Sequence, residues 1–196
     1  NAVDAHSYVG DFASPAPNTL VFPGALTYDA NYDAAAHFLA EIYPLVRCEA
    51  PDIRLRITGC SEGVDLAALP RCDGVEYTGY LQDIRPTVAE SWATVVPLRL
   101  GGGTRVKILE SMALGTPVIS TSKGAEGLDV VDGRHILIAD TPREFAGKVL
   151  QLLRSPELRD QLARAGRELV ASKYDWNIIG GKLDGLLQKV MGANAV

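Results

Sequence analysis

The chain has 196 residues, which at roughly 150 residues per domain corresponds to about 1.3 domains. Hydrophobic residues make up 47% and charged residues 22%, an ordinary globular composition that argues against a fibrous or disordered chain. The formal net charge of −5 lacks the basic excess of a nucleic-acid binder, and no apolar stretch approaches the roughly 18 residues of a transmembrane helix.

The segment 1–18 has two prolines and no periodic apolar pattern, which predicts an extended lead-in or linker. Because the first residue is Asn1 rather than Met, we expect a processed product or a piece of a longer protein. The three cysteines form no C-x-x-C pair, which favours reduced thiols and a cytoplasmic location. The three histidines are scattered without local partners, so no metal site is predicted.

Six short and largely apolar runs are predicted to be β-strands. They lie at 19–24, 53–59, 75–81, 92–98, 116–121 and 135–140.

Segments with helical periodicity alternate with these runs and then close the chain. They lie at 31–47, 105–114, 142–154, 156–172 and 175–191, with a short helix or turn after the third strand. This alternation predicts an α/β fold, a doubly wound and Rossmann-like parallel sheet of six strands with helices on both faces and further helices appended at the C-terminus. Ligands of such sheets bind beyond the carboxyl ends of the strands.

The loop after the fourth strand, GGGTRVK (101–107), is the strongest local signal. Consecutive glycines let backbone N–H groups approach a ligand, and the N-terminus of the following helix favours an anion such as phosphate. Thr104 is predicted to be the N-cap. Arg105 and Lys107 are then placed in the first helical turn, where the helix dipole disfavours cations unless an anion binds there.

Glu110 lies three residues beyond Lys107, so the two side chains share one helix surface. A lysine for phosphate and a carboxylate for ribose hydroxyls would suit a nucleotide. The alternative is a capped helix with a solvated ion pair beside a flexible loop. The P-loop motif is absent, and Val106 stands where the dinucleotide fingerprint requires its third glycine, so neither established route to ATP or NAD is predicted.

Other polar loops follow the remaining strands. Gly24 allows a tight turn at the ligand edge of the sheet, or else belongs to a plain turn into a helix capped by Asp29 or Asn31. Asp83 is predicted to cap the next short helix. Glu126 is placed either to reach a ligand or to lie in a surface loop.

Four segments together carry a more specific pattern: GALTYDANYDAAAHFLAEIYP, GYLQDI, PLRLGGGTRVKILESMALGTPVIST and GAEGLDV. In this order they resemble the C-terminal, donor-binding domain of GT-B glycosyltransferases, and most of all the retaining family 4 (group 1). The opening NAVDAHSY is similar to the segment that enters this domain. The resemblance covers nearly the whole chain.

The resemblance implies a metal-independent glycosyltransferase that needs no cofactor and uses a nucleotide-diphosphate sugar of the UDP or GDP type. It implies that Glu110 binds ribose and that Tyr80 and Leu81 frame the base. The residues that it implies for the donor diphosphate are Gly24, Gly102, Gly103, Thr104, Arg105 and Lys107.

Two departures from the family pattern concern the sugar and the phosphate charge. Gly102 stands where many members carry the first of two glutamates, and the loop after the first strand has no Lys or Arg. The catalytic groups are left unassigned and are expected in an absent N-terminal acceptor half. The two alternatives are half of a GT-B-type sugar-nucleotide epimerase and a non-catalytic doubly wound binding domain.

By the same resemblance, 1–18 is an interdomain lead-in and 19–174 is the nucleotide-sugar domain. The remainder, 175–196, is a helix that would cross back to the absent half. We expect that its apolar stripe is exposed without that half and could support a homodimer. A role in polysaccharide or glycoconjugate synthesis is expected, and a peripheral position of the full-length enzyme at the inner membrane is left open.

Overall fold

A six-stranded sheet forms the centre of the computed structural model, which describes residues 2–103 and 105–193. Its strands are Thr19–Pro23 (β1), Arg54–Thr58 (β2), Val75–Gly79 (β3), Ala93–Val96 (β4), Val118–Ser120 (β5) and Leu137–Ile138 (β6). All neighbours pair in parallel, in the spatial order β3-β2-β1-β4-β5-β6. The predicted doubly wound α/β fold is confirmed.

The helices occupy the predicted segments, with small differences at their ends. They are Asp29–His37 (α1), Tyr43–Glu49 (α2), Arg85–Glu90 (α3), Val106–Leu114 (α4), Pro142–Arg154 (α5), Pro156–Leu169 (α6) and Trp176–Ala193 (α7). A π-helical stretch, Phe38–Ile42, joins α1 to α2, and a second, Val170–Tyr174, extends α6. Two 3-10 turns, Ala5–Tyr8 and Leu66–Ala68, complete the described elements.

The last two strands are shorter than the apolar runs that predicted them. β6 pairs only with β5, through Leu137 and Ile138. The flanking Ile136 and Ala139 are buried but lie outside the assigned strand, although the backbone N–H of Ala139 donates to the Ser120 carbonyl of β5 at 2.9 Å. An apolar run reports burial, and only part of a buried run needs to be paired with a neighbouring strand.

The helices form two layers because the order of the strands reverses at the β1–β4 pair. Connections from β1 to β2 and from β4 to β5 proceed in opposite directions along the sheet, and right-handed crossovers therefore place α1 and α4 on opposite faces. In one layer α5 packs on α2, and in the other α4 packs on α3 and α6. The crevice at the carboxyl ends of β1 and β4 is where ligands of such sheets bind.

The N-terminal segment, residues 2–18, packs against this sheet domain. Val3 is buried, and its backbone N–H donates to the carbonyl oxygen of Tyr174 at 2.9 Å. The backbone N–H of Trp176, at the start of α7, donates in turn to the Val3 carbonyl at 3.1 Å. These contacts join residues more than 170 positions apart, so no local apolar pattern could predict them.

The final helix presents an apolar stripe to solvent. Its exposed hydrophobic side chains are Trp176, Ile178, Leu183, Leu186, Leu187, Val190 and Met191. Self-association through this stripe stays a prediction. No helix in the described ranges combines the length and apolarity that a membrane crossing requires.

Candidate functional site

A cleft of about 270 Å³ opens at the carboxyl ends of β1, β2 and β3, beside the first turns of α4. It brings together five of the residues predicted for the site: Gly24, Tyr80, Leu81, Lys107 and Glu110. The other lining residues are Pro23, Ala25, Thr58, Gly59 and Ile84. The tight turns after three strands therefore converge on one helix, as the reversal of strand order requires.

Lys107 lies at the centre of the polar contacts in this cleft. Its Nζ donates to Asn31 Oδ1 at 2.8 Å, and Asn31 Nδ2 donates to the Ala25 carbonyl at 2.9 Å. A Cβ atom placed on Gly24 would lie 2.7 Å from that Nζ and 2.9 Å from the Asn31 amide. Only a glycine at position 24 leaves room for the side chains of Lys107 and Asn31 beside the turn after β1.

Asn31 thus braces the turn that contains Gly24 and does not cap its helix. The N-cap of α1 is Tyr28, without a side-chain cap hydrogen bond, and Asp29 is the first residue of the helix. The expectation of a cap from Asp29 or Asn31 was therefore wrong. The amide of Asn31 is used instead between the Lys107 ammonium and the Ala25 carbonyl.

The charge of Lys107 is disfavoured in its surroundings. Burial lowers the pKa of Lys107 from its usual 10.5 to about 8, the nearby Arg105 lowers it further, and Glu110 raises it. Its Nζ also lies 5.4 Å from the centre of the Phe22 ring. An anion that entered the cleft beside Nζ would stabilise the charged ammonium and return this pKa toward its usual value.

Arg105 holds the glycine loop in shape. Its Nη1 donates to the Gly102 carbonyl at 2.9 Å, and its Nη2 donates to the Gly101 carbonyl at 2.9 Å and to that of Lys123 at 3.4 Å. Arg105 is only 6% exposed, and its Nε has no partner among the described residues. Its guanidinium is thus directed at the loop carbonyls, and Arg105 is not among the residues that line the cleft.

The start of α4 differs by one residue from the prediction. The helix begins at Val106, so Arg105 is its N-cap and only Lys107 lies in the first turn. Thr104, predicted as N-cap and as a diphosphate ligand, lies outside the described residues. Arg105 supplies no side-chain cap hydrogen bond, and the backbone N–H groups at the start of α4 favour an anion.

The two loop glycines predicted to bind the diphosphate, Gly102 and Gly103, do not line the cleft. Gly102 and Gly103 are exposed, and a Cβ placed on either one would contact nothing within 4 Å. Gly101 is more constrained, because a Cβ there would lie 3.0 Å from the Cβ of Ala30 in α1. The loop is therefore open toward solvent and closed toward α1.

Glu110 and Tyr80 also line the cleft. Glu110 Oε1 accepts a hydrogen bond from the hydroxyl of Tyr8 at 2.8 Å. Tyr80 is 76% exposed, so its ring is free to lie against a planar group, whereas Leu81 is half-buried. The cleft thus combines a cation, a carboxylate and an exposed aromatic ring.

Two carboxylates considered from the sequence, Asp83 and Glu126, lie outside the cleft. Asp83 accepts from the backbone N–H of Arg85 at 3.0 Å, but the N-cap of α3 is Ile84, so the prediction that Asp83 caps this helix was wrong. Glu126 pairs with Lys123 at 2.6 Å on an exposed loop. Neither carboxylate lines the cleft, and in the described parts of the chain no group of three or more His, Cys, Asp or Glu is placed to hold a metal ion.

Sequence reasoning missed several residues of the cleft. Thr58 and Ile84 line the cleft, and Tyr8 and Asn31 bond to two of its lining residues. The sequence assigned none of these four to the site, because each reaches it only through the fold. Gly59 had one signal, as the glycine at which the second predicted strand stops. A Cβ there would lie 2.6 Å from the backbone nitrogen of Ala25.

Thr58, at the end of β2, carries a buried hydroxyl that has no partner among the described residues. We expect Thr58→Val to raise the free energy of unfolding by about 1 kcal/mol, because valine keeps the shape and removes an unsatisfied polar group. Urea denaturation would measure the change. As a matched control, Thr94→Val should lower stability, since the Thr94 hydroxyl donates to Ser111 Oγ at 2.8 Å. A loss in Thr58→Val as large as in the control would contradict the absence of a partner.

Comparison with known proteins identifies the chemistry of related chains. The sequence profile of a family described as "Glycosyl transferases group 1" matches residues 17–155. A GDP-mannose-dependent monoacylated alpha-(1-6)-phosphatidylinositol monomannoside mannosyltransferase of Corynebacterium glutamicum is 28% identical over 162 residues. That alignment covers 76% of this chain and 42% of the relative. The chain spans less than half the length of each of the curated relatives it matches.

Solved structures share the fold at low sequence identity. Anabaena HepE, solved in complex with UDP and glucose, has a TM-score of 0.76 at 14% identity, covering 96% of this chain and 55% of HepE. The C-terminal domain of the group 1 family protein LpcC from Francisella tularensis has a TM-score of 0.66 at 18% identity. There the alignment covers 89% of this chain and 99% of the LpcC domain. The present chain therefore corresponds in fold to a domain that has been studied as a unit.

Proposed function

The chain belongs to the group 1 glycosyl transferases, and on that premise we propose that it is the donor-binding half of a retaining glycosyltransferase. The whole enzyme would transfer a sugar from a nucleoside diphosphate sugar to an acceptor in polysaccharide or glycoconjugate synthesis. The observation that carries this proposal is the convergence of Gly24, Lys107, Glu110 and Tyr80 on one cleft at the carboxyl edge of the sheet.

The diphosphate is assigned to the turn after β1 and the start of α4. Gly24 brings the backbone close, Lys107 supplies a positive charge, and the helix N-terminus adds its dipole. When the bond between the sugar C1 and the β-phosphate oxygen breaks, the electron pair goes to that oxygen. A cation already in place stabilises the developing negative charge and thereby lowers the barrier. Arg105 contributes by shaping the glycine loop.

The nucleoside is assigned to Glu110, Tyr80 and Leu81 of the same cleft. The Glu110 carboxylate is suited to accept hydrogen bonds from ribose hydroxyls, and the exposed ring of Tyr80, with Leu81, is suited to frame a base. The mannosyltransferase relative is named for GDP-mannose, and HepE was solved with UDP. UDP and GDP are therefore the two nucleotides to compare.

The acceptor and the remaining active-site groups are assigned to an N-terminal half. In this division residues 19–174 hold the donor, residues 1–18 lead into them from that half, and 175–196 return to it. We therefore expect the 196-residue chain to bind nucleoside diphosphate weakly and to transfer sugar at a negligible rate.

Titration of the chain with UDP, GDP and NAD by calorimetry tests the proposal. We expect one nucleoside diphosphate to bind more tightly than NAD. Glu110→Ala should weaken that nucleotide by about tenfold, because it loses a charge-assisted hydrogen bond, and should leave inorganic pyrophosphate nearly unchanged. Glu168→Ala, at an exposed position on α6, is the matched control and should change neither. No preference over NAD would refute the proposed function, and equal losses for nucleotide and pyrophosphate would refute the ribose assignment.

A further inference from the structure

The hydroxyl of Tyr8, from the N-terminal segment, bonds to Glu110, which lines the cleft. Tyr8 ends the 3-10 turn Ala5–Tyr8, which is fixed at its start. The backbone N–H of Ala5 donates to Asp175 Oδ2 at 3.0 Å. The backbone of Val3 is hydrogen-bonded to Tyr174 and Trp176, the residues on either side of Asp175. The backbone that carries Tyr8 is therefore anchored before its side chain meets Glu110.

The contact between Tyr8 and Glu110 joins two half-buried side chains from positions 102 residues apart. Tyr8 Oη donates to Glu110 Oε1 at 2.8 Å. Burial, and then the hydrogen bond to Glu110, raise the pKa of Tyr8 above its usual 10. The phenol consequently stays protonated over the ordinary pH range and acts as a donor. Among the described residues only Oε1 of this carboxylate accepts a hydrogen bond, so Oε2 can accept from a ligand.

The same segment also bonds to the start of α3, next to the cleft. Arg85 Nη1 donates to the Ser7 carbonyl at 2.8 Å, and the Arg85 guanidinium is held by both oxygens of Asp83 at 2.9 Å. Arg85 directly follows Ile84, which lines the cleft with Tyr80 and Leu81. Two consecutive residues of the N-terminal segment therefore bond to Arg85 beside the cleft and to Glu110 in its lining.

We propose that Tyr8 is a positioning residue for nucleoside binding, which holds the Glu110 carboxylate in the orientation that accepts the ribose hydroxyls. This inference rests on the proposed function, because it takes Glu110 as the ribose ligand. It adds that the N-terminal segment is part of the donor site. A carboxylate on a flexible side chain loses rotamer freedom when it binds a ligand, and a prior hydrogen bond that already fixes it reduces this entropic cost.

A merely structural role for Tyr8 would have a different signature. If the hydroxyl served only to dock the N-terminal segment, its removal would lower stability and would weaken all ligands of the cleft alike. If it orients Glu110, its removal must act through the ribose hydroxyls. The selectivity between ligands with and without those hydroxyls separates the two roles.

The test compares wild type and Tyr8→Phe by calorimetry, using whichever of UDP and GDP the wild-type chain binds more tightly. The other two ligands are the 2′,3′-dideoxy form of that nucleotide and inorganic pyrophosphate. We expect Tyr8→Phe to weaken the ribonucleotide by about tenfold, the worth of one hydrogen bond to a charged group. The dideoxy nucleotide and pyrophosphate should change by less than about twofold. In a Glu110→Ala background, Tyr8→Phe should have no further effect on the ribonucleotide.

Tyr43→Phe is the matched control, because its buried hydroxyl donates to the carbonyls of Ile53 and Asp73 away from the cleft. It should lower the thermal midpoint and leave every affinity unchanged. Unchanged ribonucleotide affinity in Tyr8→Phe, or equal losses for all three ligands, would overturn the positioning role while the proposed function stands. A wild-type chain that binds neither UDP nor GDP would overturn the proposed function, and this inference with it.

Discussion

Lys107→Met is expected to weaken nucleoside diphosphate and inorganic pyrophosphate by roughly 100-fold, while it makes the unliganded fold more stable. The loss of affinity follows because Lys107 is the cation that lines the cleft at the turn after β1, where a charge-assisted hydrogen bond to a phosphate is worth about 1.5–3 kcal/mol. Methionine keeps the length and apolar character of the lysine stem. Calorimetric titration of both ligands measures the change in affinity.

The gain in stability has a separate physical reason. The pKa of Lys107 is lowered to about 8 by burial, then by Arg105, so keeping it charged in the folded state at pH 7 is unfavourable, on the order of 3 kcal/mol at most. The variant removes this cost but leaves Asn31 Oδ1 without its donor, which costs about 1–2 kcal/mol. We therefore expect a net gain of about 1 kcal/mol in the free energy of unfolding at pH 7.

The pH dependence gives the control for this variant. The folded-state pKa of about 8 lies below the unfolded value near 10.5, so the penalty is fully present below pH 8 and is relieved as the pH rises from about 8 to about 10. The stability advantage of Lys107→Met should shrink over that interval. Diphosphate binding should weaken above pH 8 and take up a proton, seen as a buffer-dependent heat that Lys107→Met lacks. Unchanged pyrophosphate affinity in the variant would remove Lys107 from the diphosphate site.

Gly59→Ala is expected to cost about 3 kcal/mol of unfolding free energy and to disrupt the cleft. Gly59 has a φ of 111°, which L-residues rarely adopt, and its added Cβ would lie 2.6 Å from the backbone nitrogen and 2.8 Å from the Cα of Ala25. These are backbone atoms and cannot rotate away. The turn that contains Gly24 would have to move, so nucleotide affinity should fall together with stability.

Gly63→Ala separates the two causes of this loss. Gly63 also has a positive φ, 75°, but a Cβ there would meet nothing within 4 Å. It should therefore cost only about 1–2 kcal/mol, from backbone strain alone, and leave nucleotide affinity unchanged. Urea denaturation of both variants measures the difference. Equal losses of stability in the two variants would mean that the turns after β1 and β2 lie farther apart than in the structure.

The secondary structure could be predicted because its causes are local. The helix predicted at 142–154 is found as Pro142–Arg154, where Thr141 and Glu144 form a capping box and Pro142 takes the first helical position. The strands were found because apolar runs of this length between turn residues are typical of buried parallel strands. In the same way, the glycines after β1 and β4 predicted the edge of the sheet at which the cleft lies.

Part of the candidate site could also be predicted from local sequence. Lys107 and Glu110 are neighbours on one helical turn, and their spacing alone placed them on one face. Arg105 shows the limit of such reasoning, since its residue type and position suggested a phosphate ligand. Its guanidinium instead donates to the carbonyls of Gly101, Gly102 and Lys123.

The sequence by itself therefore determined the elements, their class and the helix that carries the cation and the carboxylate. The tertiary structure alone decided which turns meet, since the order β3-β2-β1-β4-β5-β6 depends on pairing between strands far apart in the chain. It also decided that Tyr8 meets Glu110 across 102 positions and that Asn31 meets Lys107 across 76. Such partners are chosen by the packing of whole elements on the sheet, and a short-range pattern holds no information about that packing.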